Sequence, residues 1–413
     1  MKHRAGTVIG VTLLLIGGRV IDPVSQTDRV VDIAIERGVI TDIGPDLGGR
    51  PEHAAAERID VSGQLVVPGL IDLHAHVFPG LGDFCVPADE VGVGMGVPTL
   101  IDGGTSGVAT FDLARRAVID HPETKTRVLA FLDPNQLYLA TRDFICHKLE
   151  IANDIRNLDQ DSLAASLERN AEVVIGLKVR VCHVGDPSVS PFLEAAKAAT
   201  KKPIMVHLGR FPHTPVITPP TLLNGLRHND IITHAFRGAG GMLGMDGKAI
   251  PEFRDAVDRG VRLDLGHSGT DFRFREARRL LDQGYLPDTI STDLNVFNIN
   301  GPVFTLAETM SKVLALGVDL YDVIAMATSN PARIIGHAND LGALAVGRPA
   351  EISVLRMIEG DIALSDGHET LTTDKALAPV GCVRAGTWYP TAPMPSFATV
   401  GKTWGPALDD TDW

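Results

Sequence analysis

The chain has no run of basic residues, and its formal net charge is −13. Binding a phosphate backbone needs a basic face, so the sequence argues against a nucleic-acid partner. No apolar stretch is long enough to span a bilayer, which argues against a membrane partner as well. The opening "MKHRAGTVIGVTLLLIGG" superficially resembles a secretory leader. No A-x-A site follows it, and the run passes directly into strand-like sequence, so no signal peptide is expected. Cysteine is sparse: Cys85, Cys146, Cys182 and Cys382 lie far apart and form no CxxC pair. A chain of 413 residues needs no disulfides to hold its core, so reduced thiols and a cytoplasmic location are expected. What is abundant is apolar surface: 44% hydrophobic against 22% charged residues is the balance of a globular protein.

The apolar residues are distributed in two ways. "TLLLIGGRVID", "VVDIAIERGVITDIG" and "RIDVSGQLVVPG" near the start read as strands broken by Gly, Asp and Pro, and "GALAVGRPAEISVLRMIEG" and "CVRAGTWYP" near the end share that texture. In the middle, short apolar strands alternate with helical segments such as "SPFLEAAKAATK" and "FREARRLLDQG". The strand candidates are eight: "LIDLHAHV", "VPTLIDGG", "TRVLAFLD", "VVIGLKVRV", "KPIMVHLG", "DIITHAFRG", "VRLDLGHSG" and "DTISTDLN". The expected fold is therefore α/β: a (β/α)8 TIM barrel over 67–335, with a small β-sandwich formed by both chain termini, 1–66 and 336–413. "TSNPARIIG" reads as a helix start capped by Ser329 or Asn330, with Pro331 in the first turn.

Barrels place their chemistry at the C-terminal ends of the strands. Here the polar residues fall at those ends. His74 and His76 lie two apart on the first strand and so share a face. Lys178, His207, His234, His267 and Asp293 end the fourth to eighth strands. A lone strand histidine is more often a core residue, but four histidines and a carboxylate converging on one rim suit a divalent metal such as Zn²⁺. Arg180 shares a strand face with Lys178 and could grip a substrate carboxylate or form a structural ion pair. His267 could meet substrate or orient Asp293, and Asn295 could contact substrate or cap the segment that follows.

The motifs "VVPGLIDLHAHV", "GLKVRV" and "STDLN", with His207 and His234, resemble the amidohydrolase superfamily of metal-dependent hydrolases. The resemblance covers nearly the whole chain. "IDGGTSG", "LDLGHSGTDFRF" and "NGPVFTLAETMSKVLALGV" are similar to its dihydroorotase-like or deacetylase-like subgroup. The resemblance implies two divalent metal ions, zinc by preference. His74, His76 and Asp293 would hold the more buried ion, and His207 and His234 the more exposed one. Lys178, carboxylated by CO2, would bridge them. It further implies that water activated between the ions attacks a carbonyl, with Asp293 as catalytic proton shuttle. Relatives are often dimers or larger, so a homo-oligomer acting on a small-molecule substrate is expected.

The scissile bond stays open between an acyl ester, a linear amide and the cyclic amide of dihydroorotases and hydantoinases. The loops "DPNQLYLATRDFICHK" and "GRFPHTPVITPP" contain few charges beyond Arg142, Lys148 and Arg210, which suits a moderately apolar acyl or aryl group beside a carboxylate. Two other readings are a mononuclear deaminase, which lacks the bridging lysine, and a non-catalytic scaffold relative, which loses ligands.

Overall fold

The computed structural model describes residues 12–142, 154–180, 191–207, 219–238 and 241–391. The apolar runs near the start form β1 (Thr12–Asp22), β2 (Thr27–Glu36), β3 (Val39–Gly44), β4 (Glu57–Asp60) and β5 (Leu65–Pro68). The middle contributes β6 (Ile71–Ala75), β7 (Thr99–Gly107), β8 (Arg127–Asp133), β9 (Val174–Arg180), β10 (Ile204–His207), β11 (Ile231–Thr233) and β12 (Arg262–Leu263). β13 (Ile352–Ser365), β14 (Thr370–Arg384) and β15 (Thr387–Pro390) follow.

These strands make two sheets. One has eight strands from both ends of the sequence, in the order β15-β14-β13-β5-β1-β2-β3 with β4 on β1. Most of its pairs are antiparallel, and Leu13, Leu15, Ile33, Ile35, Val66, Ile352 and Val354 pack into a core of their own. That is compatible with a β-sandwich. The other has seven parallel strands in the order β12-β11-β10-β9-β8-β7-β6 and fits a TIM-like barrel. β7 and β9 are buried along their whole length, as parallel strands covered on both faces must be.

The eighth expected strand differs. "DTISTDLN" forms no regular strand, yet it lies between the first and the seventh, with parallel bridges from Leu294 to Ala75 and from Thr289 to Asp264. The cause is local. Thr292 N donates to the Asp72 carboxylate (3.1 Å), and Asp293 adopts a left-handed φ of 54°, so the ladder cannot run on. The helix Ser329–Ile334 forms, but Thr328 precedes it at the cap position, and Asn330 instead donates to Asp288 O at 3.0 Å. Cys85 and Cys382 are buried and unbridged, while Cys146 and Cys182 lie outside the described residues. No helix among the described residues is long and apolar enough to cross a membrane.

Two features of the frame bear on the rim. Ser353 of β13 is fully buried, and its hydroxyl accepts from Leu70 N (2.9 Å) and donates to Gly96 O (2.7 Å), tying the eight-stranded sheet to the entry of β6. Gly103 and Gly104 let β7 pass close under the site. A Cβ on Gly103 would overlap the His74 ring, and one on Gly104 (φ 83°) would lie 2.5 Å from Lys178 Cβ.

Ser353→Ala should therefore lower stability by about 1–3 kcal/mol, the cost of leaving a buried partner unsatisfied, as read by denaturant unfolding. Gly103→Ala should push the His74 ring aside at about 1–3 kcal/mol of overpacking and lower the thermal midpoint. A variant with the thermal midpoint of the parent would contradict this.

Candidate functional site

The strand ends expected to converge do so. His76 Nε2 and His74 Nε2 lie 3.1 and 3.4 Å from Asp293 Oδ1, and His234 Nε2 lies 3.8 Å from Asp293 Oδ2. Lys178 Nζ is 3.1 Å from His74 Nε2, and His207 Nδ1 is 3.1 Å from His234 Nε2. His74, His76, Lys178, His234 and Asp293 are buried, while His207 is partly exposed where its strand ends. His234 and Asp293 both have left-handed backbone (φ 63° and 54°), a strained conformation that recurs at functional sites.

Counting protons decides which ring nitrogens face inward. Asp102 lies fully buried and accepts from Thr105 Oγ1 at 2.7 Å, and Thr105 Oγ1 lies 2.8 Å from His76 Nδ1. A hydroxyl has one proton. Thr105 gives it to the carboxylate and so accepts from His76 Nδ1–H. The same holds for His74: Thr233 Oγ1 donates to Asp264 Oδ2 at 2.7 Å and lies 3.0 Å from His74 Nδ1. His234 Nδ1 is 2.7 Å from Gly266 O, which can only accept. All three rings thus have Nδ1 protonated and turn Nε2 toward Asp293.

The residues at the rim fit a cation. Asp293 Oδ1 is buried without a hydrogen-bond partner and faces Nε2 of His74 and of His76. Ligand atoms of His74, His76 and Asp293 lie within 4.8 Å of one another, and nitrogen with carboxylate oxygen is the donor set of Zn²⁺. Lys178 stands beside them. Burial, reinforced by the neighbouring Arg180 guanidinium, pushes its ammonium down to about 7. Burial and then the Lys178 charge hold His74 well below the ordinary histidine range, so its ring is neutral and able to act as a ligand.

The expected substrate residues have protein partners. Arg180 Nη1 pairs with buried Asp133 at 2.6 Å, Nη2 donates to Gly104 O at 3.1 Å, and the guanidinium sits 4.0 Å over the Tyr138 ring. Asn295 donates to Asp293 O (2.8 Å) and accepts from Phe297 N (2.9 Å), which organises the loop after Asp293. His267 is fully buried beneath the rim, 2.9 Å from Lys312 Nζ. Burial and the Lys312 charge hold it well below the ordinary histidine range. Arg142 Nε donates to Asp83 O at 2.9 Å, while Lys148 and Arg210 lie outside the described residues.

Residues that no motif singled out complete the site. Thr105, Thr233, Asp102 and Asp264 stand behind the histidines. Phe84 packs edge-on against His76 with centroids 4.9 Å apart, and half-exposed Phe297 packs against Phe84 at 5.8 Å. Threonine next to or near a ligand strand was a visible signal in "IDGGTSG" and "IITHAF", whereas nothing local marks Phe84.

The profile of the amidohydrolase family matches residues 250–384. A deacetylase of Brucella anthropi is 33% identical over 355 residues, 84% of this chain and 84% of its own length. A deacetylase of Enterococcus faecalis is 30% identical over 377 residues, 87% of this chain and 95% of its own. The crystal structure of a dihydroorotase aligns with a TM-score of 0.81 at 30% identity, covering 93% of this chain and 99% of the other. That of an adenine deaminase also has a TM-score of 0.81, at 25% identity, covering 92% and 100%. Likeness at this level, sustained over most of the chain, marks common descent, and the chain belongs to the amidohydrolase family of hydrolases.

Proposed function

We propose that the barrel rim is a binuclear metal centre and that the protein cleaves an acyl ester or amide bond in a small substrate bearing a carboxylate, in the manner of a deacetylase. The observation that carries the proposal is the buried Asp293 Oδ1, which has no hydrogen-bond partner and faces the Nε2 atoms of two imidazoles. Curated relatives named deacetylase support the choice of bond. His74, His76 and Asp293 would hold one ion and His207 and His234 the other, with Lys178 between them. Divalent ions in that position supply Lewis acidity and a lowered pKa for water.

The chain does the rest. A Lys178 amine that titrates near neutrality is available to CO2. Its nitrogen bonds to the carbon and loses a proton, leaving a carbamate with two oxygens and one negative charge. Asp293 takes the proton of the attacking water at its carboxylate and delivers it to the leaving oxygen or nitrogen. Phe84 and Phe297 offer an apolar wall beside His76 for the acyl or aryl part of the substrate. Arg180, paired with Asp133, keeps a guanidinium at that rim for the substrate carboxylate, and Asn295 and His267 hold the loops around it. The division at 66/67 and 335/336, a homo-oligomer and a cytoplasmic location belong to the same proposal.

A second reading is supported by the dihydroorotase structure at 30% identity: the same rim would open a cyclic amide. A screen of O-acetylated hydroxy acids, N-acyl amino acids and cyclic imides separates the two, and turnover of the acyl compounds over the cyclic ones is expected. Asp293→Asn should retain most of the metal and lose about 10²–10⁴-fold in turnover, the usual contribution of a positioned acid–base group. Full turnover in that variant would remove Asp293 from the proton path. Metal analysis should give two ions per chain, and a single ion would favour the deaminase type.

A further inference from the structure

We propose that Thr105 and Thr233 are positioning residues, each the middle of an aspartate–threonine–histidine relay that fixes the proton of His76 or His74 on Nδ1 and aims Nε2 at the centre. This rests on the metal reading above.

The two relays are built from different parts of the barrel. Asp102 and Thr105 belong to β7, beside β6, which ends one residue before His76. Asp102 is held by backbone donors: Val77 N (3.1 Å), Gly104 N (3.1 Å) and Thr105 N (2.8 Å). Its fourth bond is the Thr105 hydroxyl. The Thr233 relay crosses the barrel interior from β11 to β6. Asp264 there collects hydroxyl donors: Thr233 (2.7 Å), Thr289 (2.7 Å) and Ser291 (2.8 Å). In both cases a buried carboxylate can only accept, so the threonine hydroxyl has no freedom to turn round. Around Thr105 the count closes: its proton goes to Asp102, and its lone pairs meet His76 Nδ1–H and the Cys85 thiol (3.8 Å).

A hydroxyl between carboxylate and imidazole has a consequence that direct contact would lack. The carboxylate sets the direction of the proton without touching the ring, so the ring stays a neutral ligand. Partners of this kind orient ligands and typically change metal affinity by about 10–100-fold. Valine matches threonine in shape and lacks the hydroxyl. Serine keeps the hydroxyl and loses only a methyl group.

The experiment uses the full chain with Thr105→Val, Thr233→Val and the two serine counterparts. Nitrogen NMR of the imidazoles in metal-free protein reads the tautomer, and competition with a chromophoric chelator reads zinc affinity. Wild-type protein should show His74 and His76 protonated at Nδ1. Each valine variant should lose that signature for its own histidine and bind zinc about 10–100-fold more weakly, and serine should restore both. A thermal melt separates this from unfolding, because a positioning role moves the tautomer and affinity in protein that still melts cooperatively. Nε2–H signals in the wild type, or valine variants with parental spectra and affinity, overturn the proposal. The nitrogen spectra decide the relays even in protein that takes up no zinc, a result that would remove the metal reading alone.

Discussion

A carboxylate sealed away from water can only accept hydrogen bonds, and the rim of this barrel is organised around that constraint. Asp72, Asp102 and Asp264 are all buried inside the strand ends. Burial pushes each of them up, Asp72 to about 7, and the hydroxyls and backbone N–H groups aimed at them pull the other way. Burying such groups costs several kcal/mol unless donors meet them. One donor at Asp102, Thr105, and one at Asp264, Thr233, have a remaining lone pair that meets a histidine ring. The direction of one proton at Asp102 or Asp264 therefore fixes, two hydrogen bonds away, the proton of a histidine on Nδ1, opposite the Nε2 that faces Asp293.

The eight-stranded sheet is part of the same arrangement. Ser353 fastens it to the start of β6. On the far side, Ser311 of the helix Leu306–Ala315 meets Leu377 of β14, its hydroxyl accepting from Leu377 N at 2.8 Å. Lys312 on that helix reaches His267 beneath the rim, and Asp366, in the turn between β13 and β14, accepts from Phe274 N at 2.7 Å. The loops after the last barrel strands are thus braced from behind by a sheet that contributes no ligand. Their left-handed residues, Ser268 and Asp293, keep that backbone because several partners specify it: Ser268 N binds Thr292 O, and Asp293 O takes both Asn295 and Asn298.

Much of this was legible in the sequence. The strands showed themselves because β-branched and aliphatic runs are short and end at Gly, Asp or Pro, and the candidate ligands showed themselves because histidine, lysine and aspartate stood where apolar runs stop. The irregular eighth segment was not legible, since Thr292 looks like any strand threonine until Asp72, more than two hundred residues away, takes its N–H and hydroxyl. Arg180 read equally well as a substrate clamp or an ion pair, and only the approach of Asp133 at 2.6 Å distinguishes its present partner. His267 read as a substrate contact or as a group that orients Asp293, yet lies fully buried against Lys312.

By itself the sequence determined the element order, the two β-rich ends, the identity of the rim residues and the family they resemble. These depend on local composition and on spacing along a strand. The tertiary structure decided the protonation geometry: which hydroxyl meets which carboxylate, and hence where each imidazole lone pair points. That choice arises between strands that are distant in sequence and adjacent across the barrel, so no single stretch of residues contains it.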